Sequence, residues 1–514
     1  MGTSTRKTVI RNTLFSYGRT LISAALTLFS SRWVLADLGA SDLGIYGLAG
    51  GLLLFVSFIS SILSQGTSRY LAYAIGSGSE ENVTAWFNTA LNVFFCLPII
   101  LLPLGLGIGE VMVRFVLNIE PSRVYAALWV LRCSLISFFM VLIATPFLSL
   151  LTSKQLIHVA ASLMLLHSIG LFAIAWFLPQ CGGDHLIVYA ALVAGSLVLL
   201  QIMYIIVCRK LCPEAHIRFC YWWNWHRIKS LASYSGWLCV GTIGTVLNVQ
   251  GQGLLLNWMK GTSANAGAGV ASSLGGQMQT LANAFLQAIS PEVIRREGAN
   301  NHALMVQLAR RSSKFGMALL LIVALPLFCE CGYVLKLWLK TPPPYSMFFT
   351  RLTILSALFY KMAVGHRMCF QAIGRIRSQQ LVELFVFTGM VPVVAVAYLI
   401  THSVIASFSF VVVMQFIYFL ATAIVGAKIF EWSVRDAICD VFAHTLVCFV
   451  GGGLIFGGIQ MFVGTASVIR LLMVGMVSVI YVTTYFGIFV FDAEDRALLV
   501  RGVKSLKGRL SFRR

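Results

Sequence analysis

The chain has 514 residues, of which 58% are apolar and only 11% are charged, and its mean hydropathy is +0.85. A soluble protein carries about 25% charged residues, so a soluble multidomain protein is excluded. The formal net charge of +20 is concentrated in short clusters between apolar runs. That distribution is typical of membrane topology and of contact with anionic lipid headgroups rather than of nucleic-acid binding.

The first apolar segment follows a polar and basic N-terminus. It runs from residue 14 to 35, is long enough to cross a bilayer and has no clean cleavage site, so we interpret it as a membrane helix and not as a signal peptide. Thirteen further segments meet the requirement of roughly 20 apolar residues. The predicted spans are 14–35, 44–65, 85–107, 124–148, 156–178, 186–208, 230–256, 265–288, 311–331, 346–370, 379–400, 404–426, 442–463 and 468–490.

Basic residues between the spans indicate the orientation of the chain. With a cytoplasmic N-terminus, most of the 38 Lys and Arg residues fall in cytoplasmic segments, including 209–229 and the C-terminal tail. The positive-inside rule therefore predicts that both termini are cytoplasmic. Aromatic rings lie beside basic residues in the stretch from Tyr221 to Arg227, which predicts a helix lying in the headgroup region.

A repeated pattern divides the chain into two lobes. The first span begins with Phe15-Ser16-Tyr17-Gly18 and the seventh with Ala232-Ser233-Tyr234-Ser235-Gly236, and a glycine-rich span follows each. Because six spans separate the two patterns, the repeats are parallel, and a cavity is expected between the lobes; chance similarity of apolar segments is the alternative. The predicted all-α polytopic membrane fold comprises an N-lobe (1–208), a cytoplasmic interfacial linker (209–229), a C-lobe (230–426), two accessory spans (427–490) and a basic cytoplasmic tail (491–514).

The chain has no pattern typical of an enzyme, a metal site or a nucleotide site. The twelve cysteines are scattered, and the closest pairs, Cys208/Cys212 and Cys329/Cys331, lack the further ligands of a zinc site. No carboxylate within a span is predicted to pair with a histidine or another carboxylate. The glycine-rich stretches lack the Gly-Lys-Ser/Thr of a phosphate-binding loop. We therefore expect a protein that is not an enzyme and has no cofactor.

Polar side chains recur at helical spacing on one face of spans 1, 7 and 8. Such stripes indicate either a hydrated cavity or helix–helix contacts through small and hydrogen-bonding residues. The large amides favour the cavity, where amide groups suit the hydroxyls of a sugar. The candidate polar binding residues are Asn248, Gln252, Gln279, Asn283 and Gln287.

Three basic residues within spans form a candidate anion site. Arg132 and Lys361 lie roughly 12–13 Å inside their spans, which is too deep for easy snorkelling. Arg19 lies roughly 8 Å inside span 1 on its polar stripe, and snorkelling is the alternative for this residue. A cavity lined by these cations and by neutral hydrogen-bonding groups would attract an amphiphile with an anionic phosphate and a sugar head.

Two stretches resemble a known family. Ser16-Tyr17-Gly18-Arg19 through Leu38-Gly39-Ala40-Ser41-Asp42-Leu43-Gly44-Ile45-Tyr46-Gly47, and Ala284-Phe285-Leu286-Gln287-Ala288-Ile289-Ser290-Pro291-Glu292, are similar to polysaccharide-biosynthesis proteins, the Wzx-type O-antigen and lipid-linked oligosaccharide flippases of the MOP superfamily. The resemblance implies two six-helix lobes, alternating access, cavity arginines that hold an anionic head, and coupling to an ion gradient. Arg19 matches the family only as a charge at the start of span 1. Fourteen spans match the lipid II flippase branch rather than the usual twelve, and in that branch the last two helices form a groove for the lipid tail.

The sequence thus leads to one hypothesis and two alternatives. The hypothesis is a flippase of the bacterial cytoplasmic membrane that moves a polyprenyl-(pyro)phosphate-linked oligosaccharide to the outer leaflet for O-antigen, capsule or exopolysaccharide. Its expected partners are the glycan lipid, membrane lipids and polysaccharide polymerase or export proteins, without nucleic acid. One alternative, a cation exporter of the same superfamily, would need a carboxylate deep in the first spans. The other, a polysaccharide polymerase or O-antigen ligase, would need a large outward loop.

Overall fold

A computed structural model of the chain describes residues 54–116, 119–260, 262–430, 432–462, 464, 467–492, 495 and 496, together with single positions and short runs between 18 and 46. Every regular element in these residues is helical. The chain divides into two compact units: Met1–Gly236 with Ile294–Asn300, and Trp237–Val293 with Asn301–Arg514. The predicted lobe and tail boundaries stay predictions.

The helices alternate with short connections. Three π-helical turns, at Met112–Val116, Ile438–Ala443 and Phe486–Val490, continue helices beyond their regular ends. The helices are α1 Leu54–Gly76, α2 Glu80–Val111, α3 Val124–Ser153, α4 Ile157–Phe177, α5 His185–Leu211, α6 Trp225–Lys260, α7 Thr262–Gly298, α8 His302–Cys329, α9 Cys331–Leu339, α10 Ser346–Met362, α11 Val364–Ile373, α12 Arg377–Thr401, α13 Val404–Ala427, α14 Val434–Ala437, α15 His444–Phe462 and α16 Val468–Tyr485.

The predicted all-α polytopic class is confirmed. Within the described residues, nine helices are long and apolar enough to cross a membrane, and α10 with α11, which are bent by 41° at their break, make a tenth candidate when the pair is counted as one span. These ten correspond to predicted spans 3–6 and 9–14. Helices α6 and α7 have 36 and 37 residues, so they are also long enough to cross, but their polar residues lower their mean hydropathy. Most of the first predicted span lies outside the described residues.

In the first unit, the described part of span 1 follows α4. Ser23 hydrogen-bonds Ser168 at 2.9 Å, and Trp33 packs against Phe172 and Trp176 with ring centroids 5.0 and 4.8 Å apart. Residue numbers rise together along both segments, so they run parallel. Just before the start of α3, Arg123 forms ion pairs with Asp42 and with Asp184, and its Nη1 lies 2.7 Å from Oδ2 of Asp184. These contacts favour the packing alternative for the serines of the span 1 stripe.

The predicted headgroup helix is wrong in its secondary structure. Between α5 and α6 the linker forms only two short 3-10 turns, Pro213–Ala215 and Phe219–Tyr221. Its backbone groups form hydrogen bonds with polar side chains of α2 in place of hydrogen bonds within a helix. Asn88 Nδ2 donates to the carbonyl of His216 at 3.0 Å, and Asn92 Nδ2 donates to that of Trp222 at 2.7 Å. The linker is therefore bound along the first half of α2.

The linker residue Tyr221, which lies outside the predicted spans, has a shifted pKa. The Tyr221 hydroxyl donates to the Glu81 carboxylate at 2.6 Å, and this hydrogen bond raises the pKa of Tyr221 above its ordinary value. The large rings of Phe219, Trp223 and Trp225 are exposed, which suits contact with lipid headgroups.

In the second unit, α8 holds the two accessory helices. Buried Arg470 of α16 pairs with buried Glu330 at 2.7 Å, and Gln460 of α15 donates to the same carboxylate at 3.1 Å. Ser478 of α16 also donates to the carbonyl of Ile322 at 2.9 Å. The connection predicted for 332–345 contains the nine-residue helix α9, which the sequence analysis treated as loop.

Candidate functional site

The second unit contains a polar cavity of about 630 Å³. Five helices line it: α6, α7, α10, α12 and α13. Its volume lies within the range of about 300–1,000 Å³ that is typical of small-molecule sites. The polar residues of its lining are Thr245, Asn248, Gln252, Asn265, Ser272, Gln279, Thr353, Ser356, Tyr360 and Gln415.

Two helices bring predicted residues to this cavity by their periodicity. Asn248 and Gln252 are one turn apart on α6, and Gln252 Nε2 donates to Asn248 Oδ1 at 2.6 Å. Ser272 and Gln279 are two turns apart on α7, so they share a face. The structure therefore places three of the five predicted polar binding residues in one cavity.

Glycines permit the close packing that shapes the cavity. A Cβ on Gly244 of α6 would lie 2.7 Å from the Cα of Leu384 on α12, and a Cβ on Gly275 of α7 would lie 2.5 Å from Thr353 of α10. Real Cβ atoms do not approach other atoms so closely, so the helices would have to separate. The absence of side chains at these positions keeps α12 and α10 against the two cavity helices.

The lining of the cavity carries no charged residue. Two of its polar atoms, Ser356 Oγ and Gln415 Oε1, are buried and have no hydrogen-bond partner. A buried polar atom that lacks a partner costs about 1–3 kcal/mol, so a ligand that supplies a donor or acceptor would recover part of that free energy. The cavity is thus suited to a neutral ligand that has several hydrogen-bonding groups.

Aromatic rings form part of the cavity wall. Phe349 and Phe408 pack edge to face with centroids 5.2 Å apart, and Phe387 and Tyr360 also line the cavity. Aromatic faces beside amide groups offer both apolar contact and hydrogen bonds. This combination can bind a ring that bears hydroxyl groups on its edge and C–H groups on its faces.

A charged cluster of Glu383 and Arg367, which was not predicted from the sequence, contacts two residues of the cavity lining, Thr245 and Tyr360. Glu383 of α12 is buried; it accepts from Gln379 Nε2 at 2.8 Å and from the cavity residue Thr245 at 3.5 Å. The guanidinium of Arg367 lies 4.6 Å from the ring centroid of Tyr360 and interacts electrostatically with Glu383. Arg367 lies within α11, near the end of the predicted span 346–370.

Lys361 is buried at the end of α10, with 6% of its surface exposed. Its ammonium group donates to Asn283 Oδ1 on α7. A predicted anion-binding residue and a predicted sugar-binding residue therefore contact each other. Gln287, one turn further along α7, is exposed and is not part of the cavity lining.

The two predicted arginines line separate pockets of the first unit. Arg19 lies beside Ala161, Ser162 and other residues of α4, and its guanidinium contacts the thioether of Met164. Arg132 lies between α2 and α3 and pairs with Glu110 at 3.1 Å. An anion site shared by Arg19, Arg132 and Lys361 stays a prediction.

The structure also adds cavity residues that the sequence analysis missed. Asn265, Ser356, Tyr360 and Gln415 line the cavity. Helical spacing was a signal for the first three, because Asn265 lies two turns before Ser272 on α7 and Ser356 and Tyr360 share a face of α10 with Thr353. Gln415 shares its cavity face with the apolar residues Phe408 and Val411, so periodicity gave no signal for it. The charged cluster did have a sequence signal. Three polar residues, Gln379, Gln380 and Glu383, lie within about one turn at the start of α12, and all three are buried in the structure.

No protein-family model matches the chain, and no curated protein sequence matches it significantly. Its fold, in contrast, is similar to solved transporter structures. An outward-facing multidrug resistance MATE family transporter of the MOP superfamily has a TM-score of 0.71 at 15% identity, covering 84% of this chain and 96% of that one. A MATE structure in the straight conformation has a TM-score of 0.69 at 15% identity, with 82% and 96% covered.

A third similar structure is a MOP superfamily transporter from Pyrococcus furiosus, described as having a binding pocket of reverse polarity that suggests a different function. Its TM-score is 0.67 at 14% identity, and the alignment covers 84% of this chain and 96% of that one. At these identities the likeness establishes the fold. The chain has the fold of MATE transporters of the MOP superfamily.

Proposed function

We propose that the chain is a transporter that moves a polyprenyl-(pyro)phosphate-linked oligosaccharide from the inner to the outer leaflet of the bacterial cytoplasmic membrane by alternating access. The glycan would serve the export of a surface polysaccharide. The observation that carries this proposal is the uncharged cavity of the second unit, which is lined by amides, hydroxyls and aromatic rings.

The chemistry of the cavity supports a sugar as the ligand. Amide side chains both donate and accept hydrogen bonds, so Asn248, Gln252 and Gln279 match hydroxyl groups in either role. An organic cation would instead favour a carboxylate in the lining, and there is none among the lining residues. The unpartnered oxygens of Ser356 and Gln415 supply two further acceptors.

The charged part of such a substrate needs cations outside this cavity. Lys361 lies next to it through Asn283, and Arg19 and Arg132 lie in the first unit. In the proposal these residues hold the (pyro)phosphate during transport. Transport is coupled to an ion gradient without a cofactor, in a chain with both termini in the cytoplasm, and polysaccharide polymerase or export proteins act as partners.

A second candidate is an exporter of organic cations. The observation that favours it is the structural likeness to a multidrug resistance MATE family transporter. In this reading Glu383, which contacts the cavity residue Thr245, would attract the cation. Arg367 counts against this reading because it already interacts with that carboxylate.

Deletion of the gene in its own host separates these candidates. Lipid-linked sugars are extracted, and their side is tested with a membrane-impermeant sugar-modifying reagent on intact spheroplasts. Accumulation of protected units supports flipping, whereas accumulation of reagent-accessible units shows that a later step, polymerisation or ligation, is lost. If no lipid-linked sugar accumulates and the deletion strain becomes sensitive to cationic dyes, the exporter is correct.

A further inference from the structure

The first unit has a long groove between α2 and α3, which we call the α2–α3 groove. Its volume is about 720 Å³, within the usual range of ligand sites. One end holds the Arg132–Glu110 ion pair, with Arg114 3.9 Å from the same carboxylate. The apolar part is lined by Leu102, Leu106, Gly107, Leu135, Ile136 and Phe139.

The groove has the polarity of an amphiphile. The charged pair, Glu110 and Arg132, lies at one end of the groove. Beyond it, successive turns of α2 (back to Leu102) and of α3 (on to Phe139) contribute only apolar side chains to the lining. That length is roughly 12 Å at 1.5 Å per residue. The neighbouring side chains of Leu104, Ile108 and Ile136 are more than half exposed, which in a membrane protein indicates a lipid-facing surface.

The charged end lies near the depth of lipid phosphates. Helix α3 has 30 residues and is therefore roughly 45 Å long, against a hydrocarbon core of roughly 30 Å. The helix is thus roughly 15 Å longer than the core, and when this extra length is divided equally, each end of α3 extends roughly 7 Å beyond the core. Arg132 is roughly 12 Å from the start of α3, and about 7 Å of that length lies outside the core, so the residue is about one turn inside the boundary. It is therefore shallower than the sequence alone predicted, and its long side chain can reach the headgroups.

The charge of this end favours an anion. Arg114 and Arg132 outnumber the single carboxylate of Glu110, and all three are partly exposed, at 51%, 43% and 34% of their side-chain surface. The guanidinium has five N–H donors, so the contact of Arg132 with Glu110 leaves donors for a second acceptor. Phosphate oxygens suit these donors well.

We propose that the α2–α3 groove binds an anionic phospholipid of the surrounding bilayer. The lipid phosphate contacts Arg132, and the upper part of one acyl chain occupies the groove down to Phe139. A phospholipid is favoured over the transported glycan lipid because the lining of the groove has no amide or hydroxyl side chain that would bind a sugar. The groove lies in the first unit and the proposed transport cavity in the second, but the groove shares Arg132 with the proposed (pyro)phosphate contacts, so competition between a phospholipid and a polyprenyl phosphate distinguishes the two roles of this residue.

Native mass spectrometry of the full-length protein in detergent tests the headgroup contact. The protein is equilibrated with equal amounts of phosphatidylglycerol and phosphatidylcholine that have identical chains. The wild type should retain more phosphatidylglycerol, and Arg132→Gln should lower that preference about tenfold, as expected for the loss of a charge-assisted contact. Glu110→Gln should raise the preference, because it removes the competing carboxylate, and the exposed control Lys336→Gln should leave it unchanged.

A second pair of variants tests the chain contact without changing any charge. A Cβ on Gly107 meets nothing within 4 Å, and the same is true of Gly195 on α5, so both helices accept a larger residue. Gly107→Leu should fill the groove and reduce retention of both lipids, whereas Gly195→Leu should not. Unchanged preference in Arg132→Gln, or unchanged retention in Gly107→Leu, would overturn the proposal. Displacement of phosphatidylglycerol by an equal concentration of polyprenyl phosphate would overturn the choice of a bilayer phospholipid.

Discussion

The ammonium group of Lys361 donates a hydrogen bond to the side-chain oxygen of Asn283, which joins α10 to α7 next to the cavity of the second unit. Lys361 is buried, and a buried charge without a partner is costly. The contact therefore has a structural role in the free protein. In the proposed function, the same ammonium group also contacts the anionic part of a substrate whose sugar occupies the cavity.

A double-mutant cycle separates these two roles of Lys361. Asn283→Leu should destabilise the protein by about 1–3 kcal/mol, because it removes the partner of a buried donor, and adding Lys361→Met should restore much of the stability. Thermal unfolding in detergent measures both effects. If Lys361 also binds the substrate anion, the double variant exports less than Asn283→Leu alone although it is more stable. Export at the wild-type rate by the double variant would leave Lys361 with a structural role alone.

The cavity predicts opposite outcomes for two glutamines on α7. Gln279 lines the cavity, whereas Gln287 is exposed and lies outside it. Gln279→Leu should reduce export about tenfold, as expected for the loss of one or two hydrogen bonds to substrate, and Gln287→Leu should export normally. Pulse-labelling of the surface polymer gives the rate. Equal effects of the two substitutions would refute the assignment of the cavity as the sugar site.

Gly244 should be intolerant of a side chain. Its Cβ would lie 2.7 Å from the Leu384 backbone, whereas a Cβ on Gly236 meets nothing within 4 Å. Gly244→Leu should therefore destabilise the second unit by about 1–3 kcal/mol or more through overpacking, and Gly236→Leu should be nearly neutral. The midpoint of thermal unfolding compares the two variants. A normal midpoint for Gly244→Leu would show that α6 and α12 are less closely packed than the structure indicates.

The ion pair between Glu330 and Arg470 should stabilise the attachment of the accessory helices. Both side chains are buried, so Glu330→Gln leaves an uncompensated charge at an expected cost of about 3–5 kcal/mol. Arg114→Gln removes a longer and more exposed pair and should cost less than about 1 kcal/mol. Proteolysis between α13 and α15 gives a local readout. Equal protease resistance of both variants and the wild type would contradict the role of this pair.

Arg19 provides a test in the first unit. In the proposed function Arg19→Ala abolishes export at an unchanged protein level, and Arg19→Lys retains part of it because the charge is kept without the planar donor set. Immunoblotting measures the level, and surface polymer measures export. Full export by Arg19→Ala would exclude a role in binding the substrate.

The helical periodicity of a single segment was sufficient to predict which of its polar residues share one helix face. The fold class followed from apolar runs, and Asn248, Gln252 and Gln279 were found by their spacing on α6 and α7. The contact of Arg132 with Glu110 joins two antiparallel helices, so it depends on their relative register, which single-sequence patterns do not contain. The break after Met362 involves no proline, and for that reason the sequence predicted one unbroken span over 346–370.

The most direct test uses the purified protein in liposomes with a fluorescent polyprenyl-pyrophosphate-linked oligosaccharide in both leaflets. An impermeant reagent destroys the fluorescence of outer-leaflet glycans, so only transported molecules continue to disappear. The proposed function predicts complete loss of fluorescence with the wild type under an ion gradient, and about tenfold slower loss of the inner-leaflet fluorescence with Gln279→Leu. Loss of only the outer half with folded wild-type protein, together with transport of an organic cation by the same liposomes, would contradict it.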